Sequence, residues 1–381
     1  MRFSMRLAGL AVWWLMIPHS APADTYGDLD QCRFVGGIGR ADQGIAACDR
    51  ALADPKLTGP GRAIVLGNRC GWWWAKRQPD RALSDCNEAI RVDPDYAAAY
   101  INRGNAYLGK ADIDDAFADF NAAIRLDPKS AWAFNARGEI YKNKGDFDRA
   151  LSDFGEAIRF DPNYAIAYFF RGDVYKRKGD FDHALVDLNE SIRLDPNNAI
   201  AYFTRGGVLY MMGNNPGALA DFTSSIRLSP DDSAAYFNRG VAYYVVGGRF
   251  ADAEADFRKA AELNPHDAYA ALWLDLAARR NRAPSRLPEA AKQLDMVVWP
   301  APLIRRFLGE LNTAQTLAAA NDGDPKTKLG ESCEANFYSG EFEMSQKNRA
   351  QALGLLRLAA NNCPRGFIES TAAIAELIAQ Q

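Results

Sequence analysis

From Ala97 to Asp232, apolar and small residues fall at helical spacing in paired runs, and the pairs recur every 34 residues. In one block Tyr168, Gly172 and Tyr175 share a helical face, followed by Ala184, Leu188 and Ile192. That pattern predicts two amphipathic helices of about 12 to 14 residues, broken apart at Gly179-Asp180 and ended by Pro196. The blocks close on Leu126-Asp127-Pro128, Phe160-Asp161-Pro162, Leu194-Asp195-Pro196 and Leu228-Ser229-Pro230. Each has Gly eighth (Gly104, Gly138, Gly172, Gly206) and Ala twentieth (Ala116, Ala150, Ala184, Ala218). Small residues there let two helix axes approach closely, while large ones at positions four, eleven and twenty-four fill the space toward the next block. One such pair cannot bury its own apolar face, so the blocks must stack.

A 34-residue period with this arrangement resembles the tetratricopeptide repeat (TPR). The resemblance implies an all-α fold: a superhelical solenoid of antiparallel helix pairs, here with an additional C-terminal helical segment. The frame extends in both directions. It predicts a degenerate first hairpin and loop over 24–62, six repeats over 63–267, a capping helix and helical linker over 268–332, and a C-terminal hairpin with closing helix over 333–381. Arg recurs at position seven (Arg69, Arg103, Arg137, Arg171, Arg205, Arg239) and Asp at position twenty-three (Asp85, Asp119, Asp153, Asp187, Asp221, Asp256). Opposite charges recurring on facing helices predict a structural ladder of ion pairs.

In TPR proteins, positions two, five, nine, twelve and thirteen line the concave surface. Carried onto this chain, those positions imply a partner-binding groove of Leu108, Trp132, Asn135, Glu139, Lys142, Ile166, Phe169, Asp173, Lys176, Ile200, Phe203, Tyr210, Met211, Phe237 and Tyr244. Aromatic and aliphatic anchors of this kind suit an extended or helical peptide. The carboxylate-clamp variety of TPR has Lys and Asn at positions five and nine; Phe169, Phe203 and Phe237 at position five argue against that ligand class.

Composition adds a compartment. Arg2 and Arg6, the apolar run Leu7 to Ile17 and Ala21-Pro22-Ala23 predict a cleavable signal peptide over 1–23, hence export to a bacterial periplasm. Its removal takes the formal charge from −3 to −5, so no basic stripe invites nucleic acid. No later segment is long and apolar enough for a membrane span. All six cysteines lie beyond residue 23, and an even count in an exported chain predicts disulfides. The repeat frame puts Cys32 and Cys70 at position eight, and Cys48 and Cys86 at position twenty-four, facing each other across a hairpin. Cys333 and Cys363 stand at the two ends of the last hairpin. The expected pairs are therefore Cys32–Cys48, Cys70–Cys86 and Cys333–Cys363, with no metal site, since no CxxC or nearby His accompanies them.

Only His183 and His266 remain after signal cleavage, and no nucleophile elbow, P-loop or zinc-protease motif is present. We therefore expect no enzyme and no cofactor. Toward the C-terminus, Trp299-Pro300, Phe307-Leu308-Gly309, Cys333-Glu334-Ala335-Asn336-Phe337-Tyr338 with Gly340, and Phe367-Ile368-Glu369 resemble bacterial cell-envelope TPR proteins of the NlpI type. That resemblance covers most of 199–379. It implies a scaffold or adaptor for protein or peptide partners, recruiting envelope proteases or peptidoglycan hydrolases, often as a homodimer. The alternative is a structural subunit whose repeat surfaces mediate self-association or assembly of a larger envelope complex.

Overall fold

The computed structural model describes residues 30–33, 41–321, 325–364 and 367–380. The expected signal peptide, the start of the degenerate hairpin near Thr25 and the end of the last repeat at Gly366 lie outside these residues. Regular structure among the described residues is helical throughout, an all-α solenoid of antiparallel pairs. No helix among them is long and apolar enough to cross a membrane. The chain divides into two compact units at Val174 and Tyr175, within the helix Ala165–Lys178.

In the N-terminal unit, helices Gly59–Ala75 and Pro79–Val92, Ala97–Gly109 and Ile113–Leu126, and Ala131–Asn143 and Phe147–Phe160 form successive pairs. Starts are capped: Ser130 accepts from the amide of Ala133, and Asp146 from that of Arg149. The small eighth residue does what the pattern predicts. A Cβ on Gly104 would stand 2.5 Å from the Phe120 ring, so the ring occupies the space a side chain would need on the opposing helix. At the two preceding hairpins the same positions are cysteines, and the contact becomes a covalent bond: Cys70–Cys86 with Cα atoms 5.5 Å apart, and Cys32–Cys48 at 4.8 Å. The run Trp72-Trp73-Trp74 divides its labour. Trp72 is buried under the first hairpin with its indole donating to the Cys32 carbonyl at 2.9 Å, whereas Trp73 and Trp74 are half-buried around the Cys70–Cys86 bond.

Each of these two bonds spans a sequence separation of 16, which on the chain-entropy model is worth about 3 kcal/mol. Changing Cys70 and Cys86 together to Ala should lower the unfolding free energy of the N-terminal unit by about that amount, read by tryptophan fluorescence in urea. A loss below 1 kcal/mol would contradict the role given to this bond.

The predicted ladder is present within each unit and has a third member. Arg137 donates through Nε and Nη2 to both carboxylate oxygens of Asp153, each at 2.8 Å, and through Nη1 to Asn121 of the preceding repeat, also at 2.8 Å. Arg103 does the same with Asp119 and Asn87, Arg205 with Asp221 and Asn189, and Arg239 with Asp256 and Thr223. At the N-terminal end Arg69 holds Asp85 and reaches back to Asp49. Arg171 and Asp187 fall on opposite sides of the division between the units.

In the C-terminal unit the repeats Ala199–Met211 with Asn215–Leu228 and Ser233–Val246 with Phe250–Leu263 are followed by Ala268–Arg280. Trp273 on that last helix is fully buried, with Phe237, Tyr244, Phe257, Phe337 and Tyr338 around it at ring separations of 5.3 to 6.4 Å. The chain then runs through short helices, among them Thr313–Ala319 with an Asn312/Gln315 capping box, to the hairpin Pro325–Ser345 and Arg349–Asn362, tied by Cys333–Cys363. The boundary expected between 332 and 333 falls inside the helix Pro325–Ser345, which begins ahead of the repeat frame. The closing helix Ile368–Ala379 turns back and packs on Ser233–Val246 as well as on its own hairpin.

Candidate functional site

Within each unit the first helices of neighbouring repeats touch, Gly59–Ala75 against Ala97–Gly109 and Ala199–Met211 against Ser233–Val246. Their side chains therefore share one face. In the N-terminal unit that face is polar at its centre and aromatic around it. Asn135 is only 4 % exposed, and its amide nitrogen donates to Glu139 Oε1 at 2.9 Å. Glu139 is dehydrated, and its carboxyl is pushed up to about 7 by burial despite the opposing pull of Lys142 and Asn135. The Trp132 ring lies 5.4 Å from that of Tyr164, whose hydroxyl is held well above its usual range by burial and then by Glu139. The Lys142 ammonium sits 4.1 Å from the centroid of Phe170, which also touches Phe169. Leu108 packs with Ile101 and Phe120, and Ile166 and Asp173 are half-buried.

The C-terminal unit treats the same positions differently. Tyr210 and Tyr244 are 7 % and 5 % exposed, and the Tyr244 hydroxyl donates to Glu341 at 2.7 Å. Phe203 and Phe237 are partly buried, packed against the core that the hairpin 325–362 and the helix Ile368–Ala379 complete. All four, expected to line a partner-binding groove, pack into or against the core that the chain's own C-terminal segment helps to form, and Tyr244 bonds that segment directly. Ile200 and Met211 remain open at 47 % and 39 % exposure, and the half-buried Lys176 lies beside Gly207.

That covering segment brings in groups the sequence reading had not singled out. Arg280 lies 2.9 Å from both Glu341 and Glu376, and Tyr269 and Trp299 both donate to Glu334 at 2.7 Å. Glu369 is 4 % exposed, its carboxyl raised to about 8 by burial and then by the nearby Glu334. Carboxylates on the inward stripe of an otherwise apolar helix were the available signal. A polar cleft beside Arg306, Thr313, Glu343 and Asn348 is already paired, since Glu343 accepts from the other three. The two histidines beyond residue 23 have local bonds: His183 contacts Asp180 and stacks on Tyr175, and His266 contacts the Gln293 carbonyl.

Models of the tetratricopeptide repeat match at 74–131, 120–152, 138–179, 172–213 and 203–268. Together they run unbroken from 74 to 268, just over half of the 381 residues. The chain belongs to the TPR family. Among solved structures, this TPR chain is similar to the Cut9–Hcn1 hetero-tetramer of the APC/C, at 18% identity and a TM-score of 0.55 over 74% of this chain and 55% of that one. It is also similar to Pseudomonas aeruginosa pilF, at 20% identity and a TM-score of 0.51 over 56% of this chain and 97% of that one. YrrB, described as a TPR protein with an unusual peptide-binding site, matches at 25% identity and a TM-score of 0.42 over 52% of this chain and 97% of that one. The first two likenesses concern the fold of the repeats. TPR proteins mediate protein–protein interactions, which makes proteins the expected partners of this one.

Proposed function

We propose that this TPR protein is a non-catalytic periplasmic scaffold that holds peptide segments of partner proteins on the inner face of its repeats. In the N-terminal unit that face comprises Leu108, Trp132, Asn135, Glu139, Ile166 and Phe169; the C-terminal unit separately keeps Ile200 and Met211 exposed on its own first helix. The observation that carries the reading is the helix Ile368–Ala379, packed on the face of Ser233–Val246. A surface of the same construction already accommodates an amphipathic helix, the helix-in-groove mode of recognition. The resemblance of residues 199–379 to NlpI-type adaptors supports a role in recruiting envelope proteases or peptidoglycan hydrolases.

A photo-crosslinking residue at Ile166 or Phe169, expressed in cells, should trap partner adducts in the periplasmic fraction. The same residue at the exposed Leu126 should not. Adducts formed only with further copies of this chain would replace the adaptor reading with self-association, and their absence at both inner positions would overturn it.

A further inference from the structure

The pair Asn135 and Glu139 is unusual for the surface it occupies. Because the Asn135 amide nitrogen donates to Glu139 Oε1, the orientation of the amide is fixed, and Oδ1 is turned away from the carboxylate. That oxygen is buried and accepts no hydrogen bond. Buried acceptors left unfilled are rare in folded proteins, and each calls for a reason. Glu139 has a related deficit. It is half-buried, the charged group acting on it is Lys142 on its own helix, and the neutral Tyr164 phenol stands near it from the residue just ahead of the next repeat's first helix. The pull of Lys142 lowers the carboxyl less than dehydration raises it. The Tyr164 phenol feels the Glu139 carboxyl, and its ring packs on Trp132, which stands three residues ahead of Asn135 on the same helix.

An acceptor without a donor, a carboxylate short of positive charge and two adjacent aromatic faces all lack the same thing. A planar cation carrying several N–H groups would supply it, donating to both oxygens while its face rests on an aromatic ring. We propose that Asn135, Glu139, Trp132 and Tyr164 form a subsite for a basic side chain, preferentially arginine, of a peptide bound on the inner face of the N-terminal unit. The proposal rests on the reading of that face as peptide-binding and adds the chemistry of what it selects. A cation here favours the ionised form of Glu139, so binding releases a proton near neutrality, and affinity falls as the pH drops below 7 by up to about tenfold per unit.

The test is a displayed library of dodecapeptides panned against the full chain at pH 8. Enriched peptides should carry Arg or Lys at one fixed position. Replacing that residue by norleucine should weaken binding about tenfold or more, an ordinary loss for a desolvated charge pair. Lowering the pH to 6 should weaken the Arg peptide and leave the norleucine peptide unchanged. Glu139→Gln, checked for retained helicity, should bring the Arg peptide down to the norleucine peptide's affinity. Enriched peptides without a basic residue, or an Arg preference that survives Glu139→Gln, would overturn the subsite and leave the inner face as a peptide-binding surface. No enrichment, or peptides that bind Phe169→Ser and Ile166→Asn variants as well as the unaltered chain, would overturn the inner-face reading itself.

Discussion

Replacing Arg137 with methionine is expected to destabilise the N-terminal unit by about 3–5 kcal/mol, read from urea unfolding followed by circular dichroism. The carboxylate of Asp153 is 6 % exposed and receives both of its short hydrogen bonds from that guanidinium. Methionine fills the space of the arginine stem but leaves a charge out of water with no partner, which costs far more than the pair itself contributes. The corollary separates this account from simple loss of packing. Arg137→Met combined with Asp153→Leu should regain most of the loss, since the stranded charge is gone. Asn121→Ala, which removes one hydrogen bond to the same guanidinium, should cost only about 1 kcal/mol. A double variant as unstable as the single one would show that the ladder stabilises in some other way.

In the C-terminal unit, stability should fall as the pH rises from 5 to 9. Glu369 is an acid whose folded carboxyl sits at about 8, against an ordinary value near 4.5. Such a group favours the fold fully while both states are protonated. The advantage shrinks as the pH climbs above the unfolded value and is gone once the folded value is passed, a change of roughly 4–5 kcal/mol at most for this one group. Glu334 and Glu341 are raised by burial as well and act with the same sign. The pull of Arg280 on Glu341 reduces this effect without reversing it. Thermal melts at pH 5, 7 and 9 should show the fall, and Glu369→Gln should flatten it by several kcal/mol, keeping the neutral hydrogen-bonding group at every pH. Parallel pH profiles for the variant and the unaltered chain would remove Glu369 from this role.

The register of the repeats was legible because it is a local, repeated signal. Gly104 facing Phe120 and Cys70 facing Cys86 occupy equivalent positions, so the counting that locates one contact locates the other. The Arg and Asp of the ladder could be read for the same reason. Its third member was not read: Asn87, Asn121 and Asn189 share position twenty-five, but Gly155 and Thr223 interrupt the series, and a contact reaching into the preceding repeat leaves no hydrophobic signature. The inner face was legible by position in the N-terminal unit, although Tyr164 and Phe170 were overlooked because neither stands at a groove position. In the C-terminal unit Tyr210 and Tyr244 belong to the interior. What buries them arrives from more than ninety residues away: the Tyr244 partner Glu341 lies at a separation of 97, which no local pattern encodes.

The backward reach of the ladder also sets an order of assembly. Each of these arginines stands on the first helix of its repeat, ahead in sequence of the aspartate it will bind, while Nη1 of Arg69, Arg103, Arg137, Arg205 and Arg239 bonds to the hairpin already completed. As the chain emerges from its N-terminus, a new first helix can therefore be moored before its own second helix exists, and the guanidinium is waiting when the aspartate arrives. Within each unit, a finished repeat serves as the template on which the next one closes. The first of these templates, the hairpin that carries Asp49, is the one fastened by Cys32–Cys48.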